Sequence, residues 1–313
     1  MATYKGINGY AVQTVASDPS PSDPGQVFYN TTSKAFEYTV IQQGAWATGG
    51  TLPQGQQEFS GAGTQTAGIV FPGDYNRTSV QEYDGTSWTA GGNYPISTRA
   101  TAGAGTQTAA LSAGGNEVPQ TAAFEYDGTS WTAGGSLATG RGYLAGAGTQ
   151  TTGLAIGGNT PTGATEEYNG TAWTAGGNLA TARGSLGSAG TQTSALAIAG
   201  NVSPYTQVEE YDGTSWTAGG SIPIAKANLG SAGLQTAALA FGGAVTVVLA
   251  STELYDGTSW TAGGNLNIAR NVLAGAGTQT SALAAGGSPN PAFTATEEFT
   301  GGPVNVNKTI SFS

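Results

Sequence analysis

Six tryptophans stand at positions 46, 88, 131, 173, 216 and 260, spaced 42 to 44 residues apart, and each begins a near-identical phrase such as Trp131-Thr-Ala-Gly-Gly. Self-similarity at one interval means that the chain folds as copies of a single unit, none of which buries its apolar face without its neighbours.

Between tryptophans the order of residues is constant. A small-residue stretch such as Gly103-Ala-Gly-Thr-Gln-Thr-Ala-Ala-Leu111 runs to a glycine pair, Gly114 and Gly115; a variable stretch follows, then Glu125-Tyr-Asp-Gly-Thr-Ser-Trp131. The pattern reads as strand a, a Gly-Thr-Gln-Thr turn, strand b, a loop of changing content, strand c ending at the tyrosine, and strand d beginning at the tryptophan. Four antiparallel strands at this period make one blade of a β-propeller. The four-residue turn sets Tyr126 opposite Trp131 with both rings on one face, and the same pairing is expected of Tyr83 with Trp88, Tyr168 with Trp173, Tyr211 with Trp216 and Tyr255 with Trp260. Each ring buries roughly 150 to 250 Å², which is enough to dominate packing between blades. Glycine, at 52 of 313 residues, and a charged fraction of only 9% suit a turn-rich all-β fold.

The a–b unit begins six times, near Gly61, Gly103, Gly146, Ser188, Ser231 and Gly275, whereas a tryptophan strand follows strand c only five times. Trp46 is the one left over, ahead of the first complete blade. The expectation is therefore a six-bladed propeller of four-stranded antiparallel blades in which Ala45-Trp46-Ala47 completes a last blade whose strand c is Thr296-Glu-Glu-Phe299. Joining the chain ends in this way removes an open sheet edge. Residues 1–45 read as an N-terminal attachment segment, with a connector at 17–25 and a hairpin over 26–38, and residues 46–313 as the propeller. The tail 303–313 alternates like a strand and either extends the last blade or pairs with that hairpin.

Nine basic against nineteen acidic residues, a net charge of −10, oppose nucleic-acid binding. With no cysteine and no histidine, disulfides, thiol nucleophiles and the commonest ligands of zinc, copper and iron are missing. The turn aspartates stand one per hairpin, unlike the converging oxygens of a calcium site, so no metal or cofactor is expected. The first residues lack the apolar stretch of a signal peptide, and no run of about 18 apolar residues occurs. The expectation is a soluble protein without membrane insertion.

Variation is confined to one face. The a–b and c–d turns are nearly constant, whereas the b–c loops at 74–77, 116–120, 159–162, 201–205, 244–248 and 288–292 differ in length and content. Loops diversified on a rigid scaffold are how folds host binding. Asp74, Tyr75, Arg77 and Tyr205 depart from the repeat and are candidate binding residues. The d–a connections on the same face carry Arg99, Arg141, Arg183, Lys226 and Arg270, with Gln56 in the first blade. As a ring around the channel mouth they would bind an anion or an acidic glycan. Paired across blades with Glu82, Glu125, Glu167, Glu210 and Glu298, they would instead be structural.

The Gly-Gly, Tyr and Trp spacing, with a basic residue about ten positions after the tryptophan, resembles the kelch repeat over residues 46–299. The wording Tyr-Asp-Gly-Thr-Ser-Trp-Thr-Ala-Gly-Gly is similar to kelch-type virion proteins of tailed bacteriophages, marine ones above all, and the start Ala2-Thr-Tyr-Lys-Gly is similar to phage fibre N-termini. That resemblance implies a non-enzymatic structural or adhesin role on a virus particle. It implies other virion proteins as partners of the N-terminal segment, a host surface glycan or protein as ligand, and a virion location after synthesis in the host cytoplasm. Two other functions compete. A sialidase-like glycan-acting propeller needs an arginine cluster and a tyrosine–carboxylate pair, and a kelch adaptor binds a partner protein on the same face. A galactose-oxidase type is excluded without cysteine and histidine.

Overall fold

In the computed structural model, residues 13–15, 27–73, 77–117, 120–159, 162–289, 294–302 and 304–310 are described. The chain divides into two compact units, Gly44–Thr300 and the combination of Met1–Gln43 with Gly301–Ser313.

The larger unit is a β-propeller of six four-stranded antiparallel blades. Blade 1 comprises Gly61–Thr64, Ala67–Val70, Gln81–Tyr83 and Trp88–Ala90, and blades 2 to 5 repeat this order. Blade 6 takes Ala274–Thr278, Ser281–Ala285 and Thr296–Thr300 from the end of the unit and Ala45–Thr48 from its start, with Phe299 opposite Trp46. The ring is closed by the N-terminal strand, as the surplus tryptophan implied. No α-helix occurs among the described residues, and hence none long and apolar enough to cross a membrane.

In the smaller unit Val27–Asn30 pairs with Ala35–Gln42 through a turn in which Asn30 Oδ1 accepts the Thr32 and Ser33 amides at 2.9 and 3.1 Å. Val304–Thr309 adds antiparallel to Ala35–Gln42 and Gln13–Val15 adds parallel to Val27–Asn30. Of the two alternatives for the tail, pairing with the hairpin is the one observed. The propeller thus ends at Thr300, short of residue 313.

The turn aspartates fold the outer hairpins. Asp127 Oδ1 accepts the Thr129 and Ser130 amides, both at 2.8 Å. These bonds, that of Ser130 foremost, hold the carboxyl below its ordinary range, as happens at Asp84, Asp212 and Asp256. The turn puts Tyr126 in register with Trp131, ring centroids 4.9 Å apart. The other four pairs named above repeat this at 4.8 to 4.9 Å.

Three devices recur at the blade boundaries. Six apolar clusters each span two neighbouring blades, one of them joining Leu111 and Ala113 of blade 2 to Ala155, Tyr168 and Trp173 of blade 3. The turn glutamine reaches backward, so that Gln150 donates to the Ala110 and Tyr126 carbonyls of blade 2 at 3.1 and 2.6 Å, and Gln65, Gln107, Gln192, Gln235 and Gln279 do the same. The tyrosine hydroxyl also reaches backward. Tyr126 donates to Glu82 at 2.5 Å and accepts the Gly92 amide at 3.1 Å. Gly92 has no room for a side chain, because an added Cβ would lie 1.9 Å from the Thr129 carbonyl. Burial first, then the facing glutamate, pushes the phenols of Tyr83, Tyr126, Tyr211 and Tyr255 up to about 12.

Candidate functional site: the axial mouth

The d–a and b–c connections meet on one face, and four of the five basic residues of the d–a connections are not displayed there. Arg141, Arg183, Lys226 and Arg270 are fully buried, each lying ten residues after its tryptophan. Arg141 Nη1 is 2.5 Å from Glu166, Arg270 Nη2 is 3.2 Å from Glu297, and Arg183 and Lys226 pair with Glu209 and Glu253. Second donors face backbone carbonyls, as Arg141 Nη2 does at Ala155. The same glutamates cap the connection, Glu166 accepting the Ala138 amide at 2.7 Å and Glu209 the Ala180 amide at 2.7 Å. Burial pulls the Lys226 ammonium below its ordinary range, and Glu253 opposes that shift. The expected ring of basic side chains around the mouth is therefore absent, because these charges are consumed inside the blades.

The alternative pairing with Glu82, Glu125, Glu167, Glu210 and Glu298 is also corrected. Those five accept the tyrosine hydroxyls of the following blade. The arginine partners are the residues one position earlier in strand c, which the sequence reading passed over. Blade 1 has Gln56 and Gln81 in the two places, Gln81 Oε1 still accepting the Gln54 amide at 3.2 Å. Blade 2 has Thr98 and Phe124 there, which shows that Arg99, eleven residues after Trp88, belongs to a different position from the other four basic residues.

Arg99 is the one of the five that is half-buried, held between two carboxylates. Its Nη1 lies 2.5 Å from Glu58 and its Nε 3.6 Å from Glu117. Of the remaining candidates, Asp74 and Tyr75 lie outside the described residues. Arg77 donates to the Gly55 carbonyl at 3.0 Å, fastening a b–c loop to a d–a connection. Tyr205 has φ 62° and is half-buried in a turn, its amide donating to the Val202 carbonyl at 2.8 Å and its carbonyl accepting the Lys226 amide at 3.0 Å. Among the described candidates, Arg77, Arg99 and Tyr205 each have their own partners and are not gathered into one site.

A different set of residues is brought together. Twelve residues after each tryptophan stand Glu58, Ala100, Tyr143, Ser185, Asn228 and Val272, all with φ between 49° and 56°. Their backbones form a closed circle. Ala100 N–H donates to Glu58, Tyr143 to Ala100, Ser185 to Tyr143, Asn228 to Ser185, Val272 to Asn228 and Glu58 back to Val272, at 2.6 to 3.0 Å. The left-handed conformation aims each amide at the carbonyl of the preceding blade, and the circle is made by backbone alone, so it accepts any side chain that tolerates the strain.

The circle surrounds a cavity of about 150 Å³ whose lining includes all six residues and the inner-strand residues Gly61, Gly103, Gly146, Ser188, Ser231 and Gly275. Below it the inner strands crowd together: Ser188 Oγ donates to the Gly146 carbonyl at 2.7 Å and Ser231 Oγ to the Ser188 carbonyl at 2.8 Å. A second cavity, about 110 Å³, lies toward the a–b turns and is lined by glycine and alanine apart from Ser188. One end of the channel is chemically featureless and the other is diversified.

The fold and mouth define a six-bladed β-propeller with a polar axial pocket open on the face of the d–a and b–c connections. Compared with protein-family models and with curated proteins, the sequence matches neither, so residues and geometry carry the functional reading.

Proposed function

We propose that this chain is a non-enzymatic binding protein of a tailed-bacteriophage particle, a kelch-like propeller that contacts a host surface glycan or protein. In this reading the unit containing residues 1–43 attaches it to other virion proteins. The observation that carries the reading is the placement of variation. Turns, tryptophans and glutamine staples repeat almost unchanged, whereas the b–c loops and the residues of the axial circle differ from blade to blade on one face. A scaffold held constant beneath a diversified face is what recognition requires. The sialidase-like alternative needs an exposed arginine cluster, and Arg141, Arg183 and Arg270 are each buried against their own glutamate.

The test is twofold. Antibody against the propeller should label intact particles, and the fluorescent protein should bind susceptible bacteria saturably without releasing soluble sugar. Unlabelled particles, or turnover of surface glycan, would refute the reading.

A further inference from the structure

We infer that the axial mouth is a subsite for a neutral, hydroxyl-rich group the size of one sugar ring, with Tyr143 as its stacking surface and Glu58, Ser185 and Asn228 as its hydrogen-bonding groups. This rests on the binding role proposed above and goes beyond it in naming the place and the ligand class.

Three observations carry it. The first is the contrast within the chain: where repeats are otherwise near-copies, the one d–a position that differs in all six blades is the one that rims the cavity. The scaffold permits diversity there, because the circle is held by backbone groups, but it does not account for tyrosine and valine, which the left-handed conformation of the position disfavours. Strain kept at a pocket rim in exchange for particular side chains points to function.

Size is the second. A cavity of about 150 Å³ matches the volume that admits a single six-membered ring. Below it the inner strands are drawn together by the Ser188 and Ser231 hydroxyls, so the ligand expected is a terminal group entering from the mouth.

Charge and chemistry are the third. None of the residues that line the cavity is basic, and the carboxylate among them, Glu58, is paired with Arg99, so an acidic ligand finds no cation in the lining. The lining brings together an aromatic ring, an amide, a serine hydroxyl and a carboxylate. A rigid aromatic beside adaptable polar groups suits the mixed apolar and hydroxylated faces of a sugar.

The experiment is a glycan array probed with the full chain, followed by titration with methyl glycosides of the neutral hexoses and of sialic acid. The wild-type protein, Tyr143→Ala and Asn228→Ala are compared, with thermal unfolding as the fold control. Thr217→Ala, on an exposed outer strand away from the cavity, serves as the control variant. Expected are binding of neutral terminal sugars, a loss of about tenfold or more in each rim variant that still unfolds well above the assay temperature, and retention in Thr217→Ala. Binding restricted to acidic glycans overturns the inference, as do neutral-sugar binding indifferent to both rim variants and recognition of peptides only. Host cells bound equally by wild type and by both rim variants would overturn the subsite and leave the adhesin reading standing. Sugar bound at the mouth by a protein that neither joins particles nor binds cells would do the reverse.

Discussion

Leu254 and Phe299 pack together at the boundary of blades 5 and 6, in the two places that a glutamate and a tyrosine hold at the five other boundaries. The pair has changed together: Phe299 lacks the hydroxyl that Leu254 could not accept. This is also the boundary where Trp46 enters, with ring centroids 4.9 Å from Phe241 and 5.2 Å from Phe299. The seam that joins the chain ends is thus the most apolar of the six. Phe299→Tyr alone would bury a hydroxyl against a leucine and should cost about 1–3 kcal/mol. Leu254→Glu with Phe299→Tyr should recover most of the loss, giving a coupling energy of about 0.5–3 kcal/mol in denaturant titrations. Additive single effects would show that the two positions do not communicate.

Closure itself is tested at Trp46. The side chain is buried, its Nε1 donates to Thr252 Oγ1 at 2.9 Å, and its strand supplies the fourth strand of blade 6. Trp46→Ala should destabilise the propeller by about 3–5 kcal/mol, and removal of residues 1–50 should lower the melting temperature sharply. Unchanged unfolding in both would mean that the ring holds without its borrowed strand.

Blade count, strand order, the aromatic hairpin pairs and the closing strand were legible in the sequence because each depends on spacing, and spacing is periodic. The basic ring was misread for two physical reasons. Charge suggests exposure, yet Arg141 and its three equivalents meet Glu166, Glu209, Glu253 and Glu297 inside the blades. Arg99 stands one residue out of step with them, a shift that takes it out of the buried position and pairs it with Glu58 instead. The glutamine staples were present as a constant residue in every a–b turn but carried no periodic apolar signal. The axial circle left no signature at all, because its left-handed residues are not glycines and its bonds are between backbone groups.

Breaking a buried pair should cost more than replacing it. Glu209→Gln leaves the Arg183 guanidinium buried without its counter-charge, and a loss of about 3–5 kcal/mol is expected. Arg183→Gln with Glu209→Gln imports the Gln56 and Gln81 solution of blade 1 and strands no charge, so it should be clearly more stable than the single variant. The comparison is read by urea unfolding at neutral pH. A double variant weaker than the single would assign the pair a net favourable role.

Alkaline pH should loosen the ring. The clasp tyrosines are raised from 10.0 in the unfolded chain to about 12 in the folded one. Between these values the unfolded chain has released its phenolic protons while the folded chain keeps them, so stability falls as pH rises. It is fully present below pH 10 and lost toward pH 12. The turn aspartates act at the opposite end. Their lowered values mean that stability present above the ordinary carboxyl range is lost as acid protonates them. Melting temperature followed together with tyrosinate absorbance should show the first falling as the second rises above pH 10. A melting temperature constant to pH 12 would remove the tyrosine–glutamate clasp from the account of stability.

Val272 offers the sharpest test of strain held for function. A β-branched residue at φ 49° is a genuine outlier, and its amide and carbonyl serve the axial circle whatever the side chain. Asparagine tolerates the left-handed region, so Val272→Asn should keep both hydrogen bonds while relieving strain, and should raise stability by about 1 kcal/mol. Ser185→Asn should gain less, because serine lacks the β-branch that makes valine costly there. Equilibrium unfolding of the two variants beside wild type measures the difference. A stabilised Val272→Asn means the chain holds a less stable side chain at the cavity rim than its own scaffold would favour, which is the signature of a residue kept for what it contacts. A destabilised one means that packing around Val272 compensates its backbone, and the rim is then shaped by folding alone.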